Sequence, residues 1–134
     1  MPVRTLIIPA WCWDAMQAHV SHLAPQESCG LLAGRGQEVT AIFLVANELA
    51  SPVRFRMEAR EQLRALEQID AQGLDLLAIF HSHPSGPSTP SATDIAEAVY
   101  PVVNIIWTCA GGNWQARGFW IAADGFDEVP LYKV

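Results

Sequence analysis

Leu74-Asp75-Leu76-Leu77-Ala78-Ile79-Phe80-His81-Ser82-His83-Pro84 is the stretch on which the reading of the fold turns. Leu74 to Phe80 is an apolar run of strand length, with a helix-like segment before it and a proline just after, which is the pattern of a buried strand. If the extended backbone continues to residue 83, His81 and His83 project from one face, about 6–7 Å apart at the backbone, because side chains two apart in a strand point the same way. One ion can then bridge the two imidazoles. Pro84-Ser85-Gly86-Pro87-Ser88-Thr89-Pro90 can neither continue a sheet nor start a long helix, so it forms a loop that brings Asp94 back toward the strand end.

His81, His83 and Asp94 are therefore candidate metal ligands. Three nitrogen or oxygen donors are what a catalytic zinc takes, with the fourth tetrahedral position left for water, whereas structural zinc usually has four protein ligands rich in cysteine. The mixed set suits zinc best among common divalent ions, although manganese, iron or nickel could also occupy it. Ser91-x-x-Asp94 ahead of an apolar helix has a second reading, an analogue of the capping box with Ser91 at the N-cap. The two readings are compatible, since a carboxylate at a helix start is stabilised by the helix dipole whether or not it binds metal.

Outward from this centre, Val3 to Ile8 reads as a short strand and Pro9 through Leu23 as a helix with Trp11, Ala15, Ala18 and His22 near one face. Ser28 to Ala33 and Val39 to Ala46 form a hairpin turned at Gly34-Arg35-Gly36-Gln37, with a further extended piece at Val53 to Met57. Ala59 to Gln72 is a helix ending at Gly73, and Ala92 to Tyr100 is another that Pro101 stops. Val102 to Cys109 and Trp114 to Ile121 make a second hairpin through Gly111-Gly112-Asn113, and Glu128 to Val134 adds a last strand. Trp107, Trp114 and Trp120 on that hairpin pack a core rather than stack on a ligand. The fold class is α/β (α+β), a mixed sheet flanked by helices.

A length of 134 residues and a hydrophobic fraction of 51% support one domain, residues 1–134, with its own core. A formal charge of −6 with only eight Lys and Arg opposes broad affinity for nucleic acid. Arg54, Arg56, Arg60 and Arg64 are the sole local cationic cluster. They read as solvated charges, Arg60 and Arg64 sharing a helix face with glutamates, or as a patch that meets a carboxylate-bearing substrate near the cleft. No run reaches the roughly 20 apolar residues of a membrane span and no secretion signal opens the chain, so the expectation is a soluble cytoplasmic protein with no membrane partner. Cys12, Cys29 and Cys109 are odd in number and widely spaced, which points to buried thiols instead of a disulfide framework.

The pattern His-x-His-Pro, six residues, Ser, two residues, Asp resembles, without a gap, the signature of the JAMM (MPN-plus, Mov34/PAD-1) zinc metallopeptidases. Glu27-Ser28-Cys29-Gly30-Leu31-Leu32-Ala33-Gly34 is similar to the segment that carries an upstream glutamate in that family, so the resemblance spans nearly the whole chain. It implies an MPN/JAB-like, partly curled sheet resembling the cytidine-deaminase architecture. It implies one zinc per chain held by His81, His83 and Asp94, with Glu27 handling the proton and Ser91 helping to hold the oxyanion. Those parts are chemically coherent, because amide hydrolysis needs an activated water, a group to move its proton, and a donor to the developing negative oxygen.

A small stand-alone chain resembles the bacterial branch of the family, the Mec-type hydrolases. That resemblance implies, as substrate, a ubiquitin-like or sulfur-carrier protein with a C-terminal Gly-Gly tail, cut by a zinc-activated water at the peptide or isopeptide bond after the glycines. The tail could lie along a sheet edge by strand addition. The alternatives are a non-catalytic MPN scaffold, whose members lack ligands, and a RadC-like DNA-repair-associated protein, against which the acidic balance counts.

Overall fold

In the computed structural model, which describes residues 4–134, the chain runs through β1 (Leu6–Ile8), α1 (Ala10–Leu23), β2 (Cys29–Arg35), β3 (Glu38–Val45), α2 (Ala59–Ala71), β4 (Asp75–His83), α3 (Ala92–Glu97), β5 (Val103–Ala110), β6 (Asn113–Ala122), β7 (Gly125–Val129) and β8 (Leu131–Lys133). Val3, the first residue of the expected opening strand, lies outside the described residues. The strands form one mixed sheet in the order β7-β6-β5-β4-β2-β3-β1-β8. The His81-Ser82-His83 strand β4 lies in its interior, antiparallel to β2 and parallel to β5.

The sheet curls until its two edges nearly meet. β7 and β8 stand at opposite ends of the strand order yet are separated in sequence by Pro130 alone. Proline has no N–H for a ladder, so the expected single strand Glu128 to Val134 is broken there: β7 pairs with β6, whereas β8 crosses to pair with β1. Leu6 N donates to Pro130 O at 3.0 Å across the seam. Gly118 is required at this closure, since a Cβ there would stand 2.7 Å from Leu131 Cδ2 and 2.8 Å from Val129 O.

Two apolar layers sandwich the sheet. On one face Cys12, Met16 and Val20 of α1 pack against Leu6, Leu32, Phe80, Ile105 and Trp107; on the other, Ala65 and Ile69 of α2 pack against Leu31, Ala33, Val45 and Met57. The alternation is that of a pleated strand: Phe80 faces α1, and Ile79 faces α2. His81 and His83 share the parity of Ile79 and so emerge on the α2 side. Truncating a buried aromatic such as Phe80 to alanine would cost about 3–5 kcal/mol.

Several expectations need correction. α1 buries Cys12, Met16 and Val20, not the Trp11, Ala15, Ala18 and His22 stripe, and Trp11 is exposed. Apolar residues surround this helix, so periodicity alone did not select its face. α3 ends at Glu97, because Val99 and Tyr100 precede Pro101 and the chain leaves the helical region at Ala98 (φ −69°, ψ 108°). The extended piece Val53 to Met57 joins no ladder of the sheet and makes one isolated bridge, Met57 to Asn47. Of the thiols, Cys12 and Cys29 are buried while Cys109 is partly exposed. Trp107 is fully buried and Trp114 and Trp120 pack at the core margin, as expected. Among the described residues no helix is long and apolar enough to cross a membrane.

Candidate metal centre and catalytic cleft

The β2–β4 ladder brings Glu27 beside the histidines. Cys29 stands opposite His81, and in an antiparallel pair each step back along one strand is a step forward along the other, so Glu27 falls level with His83. Ser28 secures the junction: Ser82 N donates to Ser28 O at 3.0 Å and Ser28 N donates to Ser82 Oγ at 2.9 Å. Glu27 N donates to Ser51 O at 2.8 Å, and Asn47 Nδ2 donates to Glu27 O at 2.9 Å. The Glu27 side chain is buried, 5% exposed, at the floor of the cleft.

Beyond Pro84 the loop returns as expected. The Ser91 and Asp94 capping box is complete: Asp94 N donates to Ser91 Oγ at 3.0 Å, and Ser91 N donates to Asp94 Oδ2 at 2.8 Å. This locks the rotamer that aims Asp94 at the strand end. Its Oδ1 lies 3.3 Å from His81 Nε2 and its Oδ2 lies 3.1 Å from His83 Nε2, while the two Nε2 atoms are 3.0 Å apart. A Glu27 oxygen also lies within 4.8 Å of a ring nitrogen of each histidine. Asp94 on one side and Glu27 on the other thus flank the two imidazoles, and the Ser91 backbone and hydroxyl brace the rim.

The ring orientations are held from behind. His83 Nδ1 donates to Pro87 O at 2.8 Å, which leaves Nε2 with its lone pair facing the cleft. Arg117, paired to Glu128 through both Nε (3.0 Å) and Nη2 (2.7 Å), uses Nη1 to donate to Ser88 Oγ at 2.8 Å and so pins the loop that carries that carbonyl. Phe55 stacks on the His81 ring, with centroids 4.5 Å apart and planes at 22°.

Electrostatics set the four groups apart. Burial raises the Glu27 pKa to about 7; the Asp94 charge adds to this and His83 opposes it. Burial also lowers the pKa of His81, only partly countered by its hydrogen bond to Asp94. For His83 burial works downward too, but the bonds to Asp94 and to the Pro87 carbonyl outweigh it and the net shift is upward. Asp94 stays well below the usual carboxylate range: burial would raise it, and the two imidazoles and the Ser91 amide overcome that. Cys29, whose thiol burial pushes up to about 12, is not a ready nucleophile.

Two cavities of about 200 and 230 Å³ open on either side of the partition formed by Phe55, Asp94 and Glu97. The first has His81, Met57, Ile79 and Tyr100 in its walls. Glu27, His83, Ser91 and Arg54 border the second. Of the cationic cluster, Arg54 and Arg56 stand at the cleft, paired with Glu97 at 3.5 Å and Glu48 at 2.7 Å, whereas Arg60 and Arg64 are solvated on α2.

The residues fit a divalent cation. His81 Nδ1 has no hydrogen-bond partner among the described residues, while His81 Nε2 faces His83 Nε2 and Asp94 Oδ1, and His83 Nε2 faces Asp94 Oδ2. A proton satisfies one such contact; a cation would satisfy all of them at once, and a mixed imidazole and carboxylate set suits zinc.

Asn47, Phe55 and the Arg117 to Ser88 contact were not legible in the sequence. Asn47 organises the 47–56 loop, with Nδ2 donating also to Arg54 O (3.0 Å) and Oδ1 accepting from Leu49 N (3.1 Å) and Arg56 N (3.0 Å). An asparagine just past a strand end is the one local signal that pointed to such a turn.

Residues 9–122 match the family described as prokaryotic homologs of the JAB domain. The chain is 38% identical over 107 residues, 79% of its length and 72% of the relative's, to the probable TtuB-protein conjugate cleaving protease of Thermus thermophilus. It is 40% identical over 91 residues to the desampylase of Pyrococcus furiosus, covering 68% of this chain and 64% of that one. With the CysO-cysteine peptidase of Mycobacterium tuberculosis it shares 33% identity over 98% of its own length and 93% of the other's. A protein of Desulfitobacterium hafniense solved in solution superposes with a TM-score of 0.86 at 32% identity, covering 97% of this chain and 93% of that one. A JAB1/MPN domain protein of Archaeoglobus fulgidus shares the fold, with a TM-score of 0.61 at 18% identity and coverage of 97% and 98%.

Proposed function

The chain belongs to the prokaryotic JAB family within the JAMM/MPN group and is an enzyme of the peptidase or isopeptidase class, and from that premise we propose that it is a zinc-dependent hydrolase. Its proposed substrate is a ubiquitin-like or sulfur-carrier protein, cut after the C-terminal glycines. The observation that carries this reading is the convergence of three groups: His81 Nε2 and His83 Nε2 lie 3.0 Å apart and each faces one Asp94 oxygen, at 3.3 and 3.1 Å, next to a buried Glu27.

In this reading His81, His83 and Asp94 hold one zinc. Asp94 is favoured over Glu27 as the third ligand because its two oxygens already face both nitrogens and its capping box fixes them there. When bound, zinc would lower the pKa of a water to about 7 and polarise the scissile carbonyl. Glu27 takes the water's proton and delivers it to the departing nitrogen, a task for which its buried carboxyl group, level with His83 on the neighbouring strand, is placed. Ser91 Oγ already accepts from Asp94 N, so its own O–H remains free to donate to the developing oxyanion, a contact worth roughly 3 kcal/mol where one such donor has been removed in other hydrolases. The names of relatives that act on TtuB conjugates and on CysO-cysteine support a carrier-type substrate. A cytoplasmic setting agrees with three free cysteines.

Mass spectrometry of a carrier protein extended beyond its terminal Gly-Gly, before and after incubation with the zinc-loaded enzyme, tests the substrate. Loss of the residue after the glycines is expected; an unchanged carrier mass overturns the substrate assignment.

A further inference from the structure

We infer that Arg54 receives the α-carboxylate of the released amino acid, so that the enzyme prefers a carrier joined to a single amino acid over a carrier joined through a lysine side chain. The inference rests on the function proposed above and names its leaving group.

The chemistry dictates where that group must lie. As the amide C–N bond breaks, the water oxygen becomes bonded to the carrier carbonyl carbon and one proton must reach the departing nitrogen. Glu27, the proton carrier, borders the 230 Å³ cavity and not its neighbour, so the departing nitrogen enters on that side. In an α-linked amino acid the carboxylate is attached to the carbon that bears this nitrogen, which places a negative charge within a few ångströms of it. A lysine isopeptide instead carries four methylenes at that position and no charge nearby.

Apart from the His83 ring, Arg54 is the one basic side chain among the described residues that border this cavity. Asn47 places it: the same Nδ2 bonds the Glu27 and Arg54 carbonyl oxygens, at 2.9 and 3.0 Å, so the arginine's backbone is tied directly to that of the proton carrier. The guanidinium is also available. Its pairing with Glu97 is a single contact at 3.5 Å between side chains 60% and 56% exposed, an arrangement that contributes little and exchanges readily. Arg56 differs, with a 2.7 Å contact to Glu48 and a place on the other cavity. A planar fork of donors is suited to a carboxylate in two parallel bonds.

The test compares kcat/KM for two carriers, one ending Gly-Gly-Ala with a free carboxylate and one ending Gly-Gly-alaninamide, with wild type, Arg54→Gln and Arg54→Lys. Wild type is expected to favour the free acid about tenfold, as one charge-assisted hydrogen bond would give. Arg54→Gln should erase the preference by slowing only the free acid, and Arg54→Lys should keep part of it. Equal rates on both carriers in wild type, or an equal loss on both in Arg54→Gln, overturns the inference while leaving the peptidase reading intact. Cleavage of neither carrier by wild type refutes the proposed carrier substrate, and the inference with it.

Discussion

Glu27 is expected to make the metal-free protein less stable as the pH rises. Its carboxyl group is buried beside Asp94, and its pKa stands at about 7 in place of an ordinary 4.5. Below pH 4.5 the group is protonated in both folded and unfolded chains and costs nothing. Between 4.5 and 7 the unfolded chain ionises while the folded one does not, so stability falls across that window and the penalty is complete above it. A gap of that size, at 1.36 kcal/mol per pH unit, corresponds to about 3 kcal/mol as an upper figure, since His83 shares the titration. Glu27→Gln keeps the shape and removes the charge. Urea unfolding in the presence of a chelator should therefore find the variant more stable than wild type by about 2–3 kcal/mol at pH 8, with little difference at pH 4.5. A variant equal to or weaker than wild type at pH 8 would refute the view that this carboxylate is held at a cost in stability for its reactivity.

Other outcomes follow from the same geometry. Hydrolysis by the zinc-loaded enzyme should fall below about pH 6, where imidazoles protonate and release the ion, and a rate unchanged down to pH 4.5 would contradict ligation by His81 and His83. Ser88→Ala and Arg117→Gln should each weaken zinc about tenfold in competition with a chelator, because each frees the loop whose Pro87 carbonyl orients His83. Unaltered affinity in both would remove the loop from that role. Gly118→Val should lower the urea unfolding free energy by about 3 kcal/mol, since its Cβ meets Leu131 and the Val129 carbonyl where the sheet closes; a neutral effect would show that the seam can open to admit it.

The convergence of His81, His83 and Asp94 was legible because each link is local. A two-residue repeat in a strand puts His81 and His83 on one side, and a capping box carries Asp94 back toward them at a helix start. Glu27 became legible through family resemblance, since nothing nearby in sequence says that residue 27 lies level with residue 83; only the β2–β4 register does. The same limit hid the strand break at Pro130. The proline was visible, but β8 leaves β7 to join β1, where Leu131 pairs with Leu6 from the other end of the chain, a choice made by closure of the sheet. Asn47 adds side-chain bonds to Arg54 O and Arg56 N beside the single bridge at Met57, so the extended piece Val53 to Met57 sits in a loop with Phe55 against His81. In α1 the apolar residues lie on more than one side, and the sheet it covers decides which are buried.

Zinc content of the purified Glu27→Gln and Asp94→Asn variants, measured by elemental analysis beside wild type, tests the central assignment most directly. One zinc per chain in wild type and in Glu27→Gln, the latter without hydrolytic activity, together with loss of zinc in Asp94→Asn, is the predicted result. Zinc lost from Glu27→Gln and kept by Asp94→Asn would contradict it, making Glu27 the ligand and leaving the proton with no carrier.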